Sequence, residues 1–502
     1  MNIEQKIGFD LVRSQVAAKC ATAYARSKVE EEVISHLEEE ILSRLLPTDE
    51  MRLICMFEDT FPSSGFIDAR DFLIPLTSEY ASLSLPSLVL LRTALDTLRR
   101  VVSFFRTSRD GVYPNLVKMT EPVAVFPEIS RRIETILDRE GNVRDTASEA
   151  LGQIRSALRA KEKSVSRSIQ TILKKAQAEG LVEEGASAVV RDGKALIPVA
   201  SAAKKHIAGI VYDESSSGKT SFIEPMEVVE LNNQIRELQF EEQREIARIL
   251  MEFTDFLRPY LEELISGACY LGEIDFIRAK ALVALEMKAG LPLISQNGEL
   301  SLRKARHPLL EKALHKENKE IVPLTILLTR EKHILLISGP NAGGKSVCLK
   351  TVGLLQYMFQ WGLLIPTSEI SEMTVFDNIF IDIGDDQSLE NDLSTYSSFL
   401  SNMRDVVIRA NRRSLVLIDE FGSGTEPAAG GAIAEAILAE LDKVGAYGVI
   451  TTHYTNLKLY ANTSKGVMNG AMLFDVQAIA PLFKLEQGLP GNSFALAVAH
   501  KI

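Results

Sequence analysis

The sequence predicts a multidomain α + α/β chain: a helical core, long antiparallel lever helices carrying a small β clamp, and an α/β domain with a phosphate-binding loop. Three observations predict it. Gly339, Gly344, Lys345 and Ser346 meet the spacing G-x-x-x-x-G-K-[ST] between an apolar run at 334–337 and a helical pattern at 347–355. Two long apolar stripes at steps of three and four flank an insert rich in β-formers and turn residues. Helical spacing of leucines dominates the first 145 or so residues.

Whole-chain properties set the bounds. A chain of 502 residues has room for several domains, and 46% hydrophobic with 25% charged residues is a globular composition. The opening MNIEQKIGFD lacks a basic region followed by an apolar core, so no secretory leader is expected, and no apolar run is long enough to span a bilayer. Cys20, Cys55, Cys269 and Cys348 are scattered without ligand-like spacing, which suits a reduced cytoplasmic setting and argues against zinc. The net charge of −11 argues against coating nucleic acid with the whole surface and leaves such binding to a local basic patch.

Residues 1–145 read as a helical scaffold. Residues 15–46 have helical spacing that is expected to end near Pro47, and Leu88, Leu91, Leu95 and Leu98 line one face of a second pattern. From 146 to 257 come the levers. Leu151, Ile154, Leu158, Val165, Ile169, Ile172 and Ala176 form the first stripe, with Gly180 and Gly185 after it. Val228, Leu231, Ile235, Leu238, Ile246, Ile249 and Phe253 form the second, led by Pro225 at an expected helix N1 position. The insert between them, at about 186–224, contains Asp192-Gly193, a hairpin signal, and another turn at 215–218. A β-structure at the end of a lever is expected to bury little and to serve as a contact surface. Arg155, Arg159, Lys161, Lys163, Arg167, Lys174 and Lys175 face a single acid, Glu162, while Lys204, Lys205 and His206 sit in the insert. That run is either a phosphate-contacting surface or a solvated helix face. Residues 258–296 return through further helix, and 297–502 form the α/β domain, with strands expected at 300–304 and 321–328.

The glycine loop allows backbone N–H groups to converge on phosphate oxygens, and the helix after it adds a favourable dipole. Lys345 is placed for the β- and γ-phosphates of a nucleoside triphosphate and the Ser346 hydroxyl for Mg²⁺. The run RSLVLIDE at 413–420 reads as a buried strand next to that of the loop, aiming Asp419 at Mg²⁺, directly or through water, and Glu420 at the attacking water. A third strand, 449–453, ends in His453, a candidate to sense the γ-phosphate or polarise the water. Asp385 and Asp386 lie between these, and the hydroxyls of Ser394, Thr395 and Ser397 are suited equally to phosphate binding or to local helix capping.

GPNAGGKS at 339–346, LVLIDEFGSGTEP, the STYS segment and TTH together resemble the ATPase of the MutS family, a relative of the ABC class. Pro340-Asn341 and the lack of an LSGG signature favour MutS over transporters. VRDGKALIPV, GIVYDESSSGKTSFIEPMEVVELNNQIRELQFEEQREI and KARHPLL resemble the second bacterial MutS paralogue over nearly the whole chain. The resemblance implies an ABC-like P-loop ATPase domain using ATP and Mg²⁺, with Gly339, Pro340, Asn341, Ala342, Gly343 and Gly344 around the phosphates. It implies a homodimer in which the segment 394–397 faces the partner's γ-phosphate, a lever-and-clamp at 145–253 that embraces nucleic acid, and Arg306-His307-Pro308 near the nucleotide. Mismatch reading is not expected. Phe126, Phe222 and Phe240 each begin a Phe-x-Glu tripeptide, but none lies in a dedicated N-terminal domain. The family's nuclease domain and part of its dimer-forming region are expected beyond residue 502. Three functions remain open: a clamp on double-stranded, branched or joint DNA that suppresses recombination, an ATPase gripping rRNA of stalled ribosomes, or a nucleotide-stabilised scaffold.

Overall fold

The structure, a computed structural model, describes all residues except 1, 109–110, 192, 341–342, 368–369, 384–394, 423–425, 476, 479 and 492–502. The chain divides into two units, Ala69–Arg99 with Ala124–Ala268, and Met1–Asp68 with Arg100–Val123 and Cys269–Ile502. No helix among the described residues is long and apolar enough to cross a membrane.

The first of these units is built on two long helices, Glu149–Ala178 and Met226–Leu257. At 1.5 Å per residue they run for about 45 and 48 Å. They are antiparallel: Ser148 Oγ donates to Glu245 at 2.5 Å and Arg155 Nε to Glu242 at 2.7 Å, so rising numbers on one helix meet falling numbers on the other. Leu151, Leu158, Ile169 and Ala176 are buried along the predicted seam, as are Val228, Ile249 and Phe253 opposite.

Between the levers, β1 (Val189–Arg191), β2 (Lys194–Ala200), β3 (Gly209–Glu214) and β4 (Thr220–Pro225) form an antiparallel sheet in the order β1-β2-β4-β3. Gly193 takes φ 76° in the β1–β2 turn, a conformation that glycine adopts without a Cβ penalty. The tip is not merely a surface. Ile197, Val199 and Ile223 are completely buried against Ile169, Ala176 and Val228 at the lever ends, so the insert has its own small core. Pro225 pairs with Gly209 as the last residue of β4 and stands just outside the helix at φ −60°, ψ 144°. The strand ladder keeps it extended, which moves it one place upstream of the expected N1 position.

The other unit contains helices Phe9–Lys19, Ala23–Glu31 and Glu38–Phe57. Pro47 lies inside the last of these and does not end it. The missing N–H is outweighed by burial of Ile41, Leu45, Met51 and Ile54 along one continuous face. A four-stranded sheet has the order β5-β9-β6-β7, comprising β5 (Leu293–Ile294), β6 (Leu300–Ala305), β7 (Leu324–Leu328) and β9 (Glu372–Met373).

The larger sheet comprises β8 (Ile334–Ser338), β10 (Asn378–Asp382), β11 (Ser414–Ile418), β12 (Tyr447–Thr451), β13 (Val467–Asp475) and β14 (Ala480–Gln487). Its order is β10-β11-β12-β8-β13-β14, parallel throughout except for β14. Strand alternation assigns the two faces. Leu335, Ile337, Leu415, Leu417 and Val449 share a core with Leu349, Val352 and Phe359 of the helix Lys345–Trp361. Ile334, Leu336, Val416, Ile418 and Ile450 pack instead with Met403, Leu438 and Leu457, from helices Thr395–Arg409, Pro427–Val444 and Thr455–Thr463. Every residue of β8, β11 and β12 is buried, as sheets covered on both faces require. One expectation is corrected: β11 does not border β8, because β12 pairs with both.

Candidate functional site

Parallel strands present their carboxyl ends along one edge of the sheet, and there β8, β11 and β12 deliver their last residues together. From β8 the chain enters the glycine loop. Gly339 has φ 141°, and a Cβ there would meet Met472 Cβ at 3.0 Å, so the loop's close packing on β13 needs glycine. Pro340 is buried and its carbonyl accepts from Gly343 N at 3.0 Å. Gly344 takes φ 91° and caps the helix Lys345–Trp361. A helix N-terminus turns backbone N–H groups and the positive end of its dipole outward, which favours an anion at the loop. Asn341 and Ala342 lie outside the described residues.

Lys345 is only 3% exposed. Its Nζ reaches back across the loop to donate to Gly339 O at 2.7 Å and lies 3.1 Å from His453 Nε2. Burial brings the Lys345 ammonium down to about 8, against the opposing pull of Asp419 and Glu420. Burial, then the Lys345 and Lys458 charges, hold the His453 ring below its usual range. A neutral ring at pH 7 accepts at Nε2 from Lys345 and carries its proton on Nδ1. Ser346, the second residue of the same helix, is half-buried.

Asp419 and Glu420 follow β11. Thr451, the last residue of β12, donates its hydroxyl to Asp419 Oδ1 at 2.5 Å and accepts from Glu420 N at 2.8 Å. Glu420 is exposed and has φ 51°, left-handed backbone that costs a residue with a Cβ about 1–2 kcal/mol. Among the described residues there is no group of three or more His, Cys, Asp or Glu placed to hold a metal. Among the described residues, the Asp419 carboxylate and the Ser346 hydroxyl are the donors expected for a cation here. Such a sparse hard-oxygen set suits Mg²⁺, whose shell is completed by substrate phosphates and water.

Nothing in the sequence gave three contributors a role of their own. Thr451, the first residue of TTH, is one. Lys458 is another: on the helix Thr455–Thr463 it places a second cation near Lys345 and His453, with burial lowering its own pKa, and it donates to Gly491 O at 2.9 Å. Phe483 is half exposed on β14, and its ring edge lies 3.2 Å from where a Gly344 Cβ would stand. Only the sheet order brings these residues to the loop, so no sequence spacing announces them.

Other candidates fall elsewhere. Ser394, Asp385 and Asp386 lie outside the described residues; Thr395 opens the helix Thr395–Arg409, and Ser397 on its first turn is exposed. His307 caps the helix Pro308–Lys316 by accepting from Leu310 N at 3.3 Å, and burial lowers its pKa to about 4. Arg306 grips both oxygens of Glu311 at 2.7 and 2.9 Å. Both side chains therefore have local structural duties.

The basic run divides in two. Arg155 bridges Asp145 and Glu242, and Arg159 joins Asp145 at 3.0 Å, so these two staple the foot of the levers. Lys163, Arg167, Lys174 and Lys175 are exposed and Lys161 is half-buried. At about 100° per residue, Lys163, Arg167 and Lys174 fall within about 40° of one another, opposite the buried seam. In the tip, Lys204 pairs with Glu214 at 3.2 Å, while Lys205 and His206 are exposed.

Residues 335–502 match the model of MutS domain V, a span that takes in the glycine loop, Asp419-Glu420 and His453. A protein named Endonuclease MutS2 from Geobacillus sp. (strain WCH70) is 37% identical over 496 residues, covering 98% of this chain and 62% of that protein. Its namesake from Enterococcus faecalis (strain ATCC 700802 / V583) is 37% identical over 500 residues, 99% of this chain and 62% of the relative. That from Finegoldia magna (strain ATCC 29328 / DSM 20472 / WAL 2508) is 41% identical over 392 residues, 78% of this chain and 48% of the relative. The chain thus spans about six-tenths of the length of the first two relatives. It belongs to the MutS family, in the branch of the proteins named MutS2.

Proposed function

We propose that this chain is a Mg²⁺-dependent P-loop ATPase whose nucleotide cycle moves a nucleic-acid clamp. The observation that carries the reading is the convergence of Lys345, His453, Asp419 and Glu420 beside the glycine loop at one sheet edge. Lys345 and the first-turn N–H groups of its helix bind the β- and γ-phosphates of ATP. The residues Ser346 and Asp419 hold Mg²⁺, which supplies charge neutralisation at the phosphates when bound. Glu420 accepts a proton from the attacking water, and neutral His453 keeps the Lys345 ammonium oriented and senses the γ-phosphate.

On this reading residues 297–502 form the ATPase domain, 1–145 and 258–296 the helical core, and 146–257 the levers with the clamp at about 186–224. The protein acts as a homodimer, with Ser394, Thr395 and Ser397 of one subunit facing the γ-phosphate of the other. The exposed stripe Lys163, Arg167 and Lys174, with Lys161, Lys175, Lys204 and Lys205, contacts phosphates of double-stranded or branched DNA. The relatives' name carries an endonuclease activity; the chemistry proposed for this chain is hydrolysis of ATP.

The test is turnover set beside binding. Glu420→Gln is expected to keep ATP affinity within about threefold and to lower turnover at least about a hundredfold. Lys345→Ala is expected to lose affinity itself. Unchanged turnover in Glu420→Gln contradicts the mechanism. In competition binding, a wide preference for ribosomes over four-way DNA junctions replaces the DNA half of the proposal with an rRNA one.

A further inference from the structure

We propose that Thr451 is the positioning residue for both acids of the site, setting Asp419 and Glu420 with one hydroxyl. The proposal rests on the reading of the site as an ATPase and deepens it.

Thr451 is completely buried at the end of β12, the strand that stands between the glycine-loop strand and the acidic one. The ladder pairs Ile418 with Ile450 and then stops. Beyond it, Thr451 carries the connection through other atoms. Its Oγ1 donates to Asp419 Oδ1 at 2.5 Å and accepts from Glu420 N at 2.8 Å, and its carbonyl accepts from Phe421 N at 2.8 Å. Three successive residues of the acidic turn are therefore registered by one residue of the neighbouring strand.

The chemistry demands a hydroxyl. Only a group that donates and accepts at once satisfies a carboxylate oxygen and an amide N–H from a single atom. The Glu420 backbone at φ 51° is uphill for a residue with a Cβ and persists only where its surroundings fix it. The bond from Glu420 N to Thr451 Oγ1 supplies that fixing. The same hydroxyl directs one Asp419 oxygen toward β12, leaving the other for a cation or its water. A valine in its place preserves shape and removes both functions, whereas a serine preserves both.

The experiment compares Thr451→Val and Thr451→Ser with wild type in steady-state ATP hydrolysis across a Mg²⁺ titration. Thr451→Val is expected to lower kcat by about 10- to 100-fold with KM for ATP within about threefold, because the glycine loop and Lys345 are untouched. Its half-saturating Mg²⁺ concentration rises by about tenfold. Thr451→Ser stays within about threefold of wild type in all three quantities. Wild-type kcat in Thr451→Val overturns the proposal, and so does an equal loss in Thr451→Ser, which would make packing and not the hydroxyl responsible. Should the valine variant not fold, the pair Thr451→Ala and Thr451→Ser makes the same comparison. Failure of the ATPase reading is seen separately, as wild type and Glu420→Gln turning over alike; a Glu420→Gln that has lost turnover beside a fully active Thr451→Val defeats the positioning role alone.

Discussion

Lys345 concentrates the electrostatics of the site in one side chain. It is almost wholly buried, next to a neutral histidine and within the field of a second lysine, and burial has brought its ammonium down to about 8. An anion bound at the loop restores favourable charge and raises that pKa. The sign of the linkage follows. Below pH 8 the lysine is already protonated and ATP affinity is flat on its account. Above pH 8 binding must take up a proton, and affinity falls as pH rises. Isothermal titration at pH 8.5 in two buffers of different ionisation enthalpy is expected to show net proton uptake, much smaller at pH 7 where the lysine is already protonated. Equal apparent enthalpies in the two buffers would contradict it. Lys345, Asp419 and Glu420 were legible from the sequence because a short spacing rule or a strand ending in acids announces them. The roles of Thr451, visible only as part of TTH, and of Lys458 were not: they arise from strand order and from the helix after β12, which bring together residues some 30 to 110 positions apart.

At the scale of elements, the levers divide their basic residues between structure and surface. Arg155 and Arg159 are committed to Asp145 and Glu242 at the foot, and these ion pairs tie both side chains to neighbours within the levers. Lys163, Arg167 and Lys174 form a stripe opposite the seam. If that stripe contacts DNA phosphates, reversing all three charges weakens binding and reduces the slope of log affinity against log salt by roughly 2 to 3. Reversal at Lys205 adds to this, whereas Lys204 is tied to Glu214 and is a poorer probe. An unchanged salt slope in the triple variant removes the stripe from the interface. The apolar stripes were readable because period 3.5–3.6 survives in composition. The prolines misled in physical terms: Pro47 sits in a helix whose buried face outweighs one missing hydrogen bond, and Pro225 belongs to a strand ladder that ends just before its helix begins.

At the scale of the whole molecule, the helix that begins at the glycine loop ends against the amino-terminal segment of the same unit. Tyr357 OH donates to Glu4 at 2.8 Å, Gln360 Nε2 to Ser35 O at 2.9 Å and Trp361 Nε1 to Glu32 O at 2.9 Å. Lys280, buried and brought to about 8, lies 3.3 Å from Gly362 O just beyond the helix. These bonds join the helix that follows the loop to the helical core of the same unit by a continuous packed path. The mixed helical and α/β architecture was legible; the order β10-β11-β12-β8-β13-β14 was not, since local patterns do not say which strands are neighbours.

The central claim is that this nucleotide site switches a nucleic-acid clamp. It is tested most directly by the affinity of the Glu420→Gln protein for a four-way DNA junction, measured at fixed salt with and without ATP and Mg²⁺. Trapping bound ATP is expected to change that affinity by at least about tenfold, a coupling of about 1.4 kcal/mol. An affinity that is the same in both conditions, with ATP shown to be bound, would contradict the account.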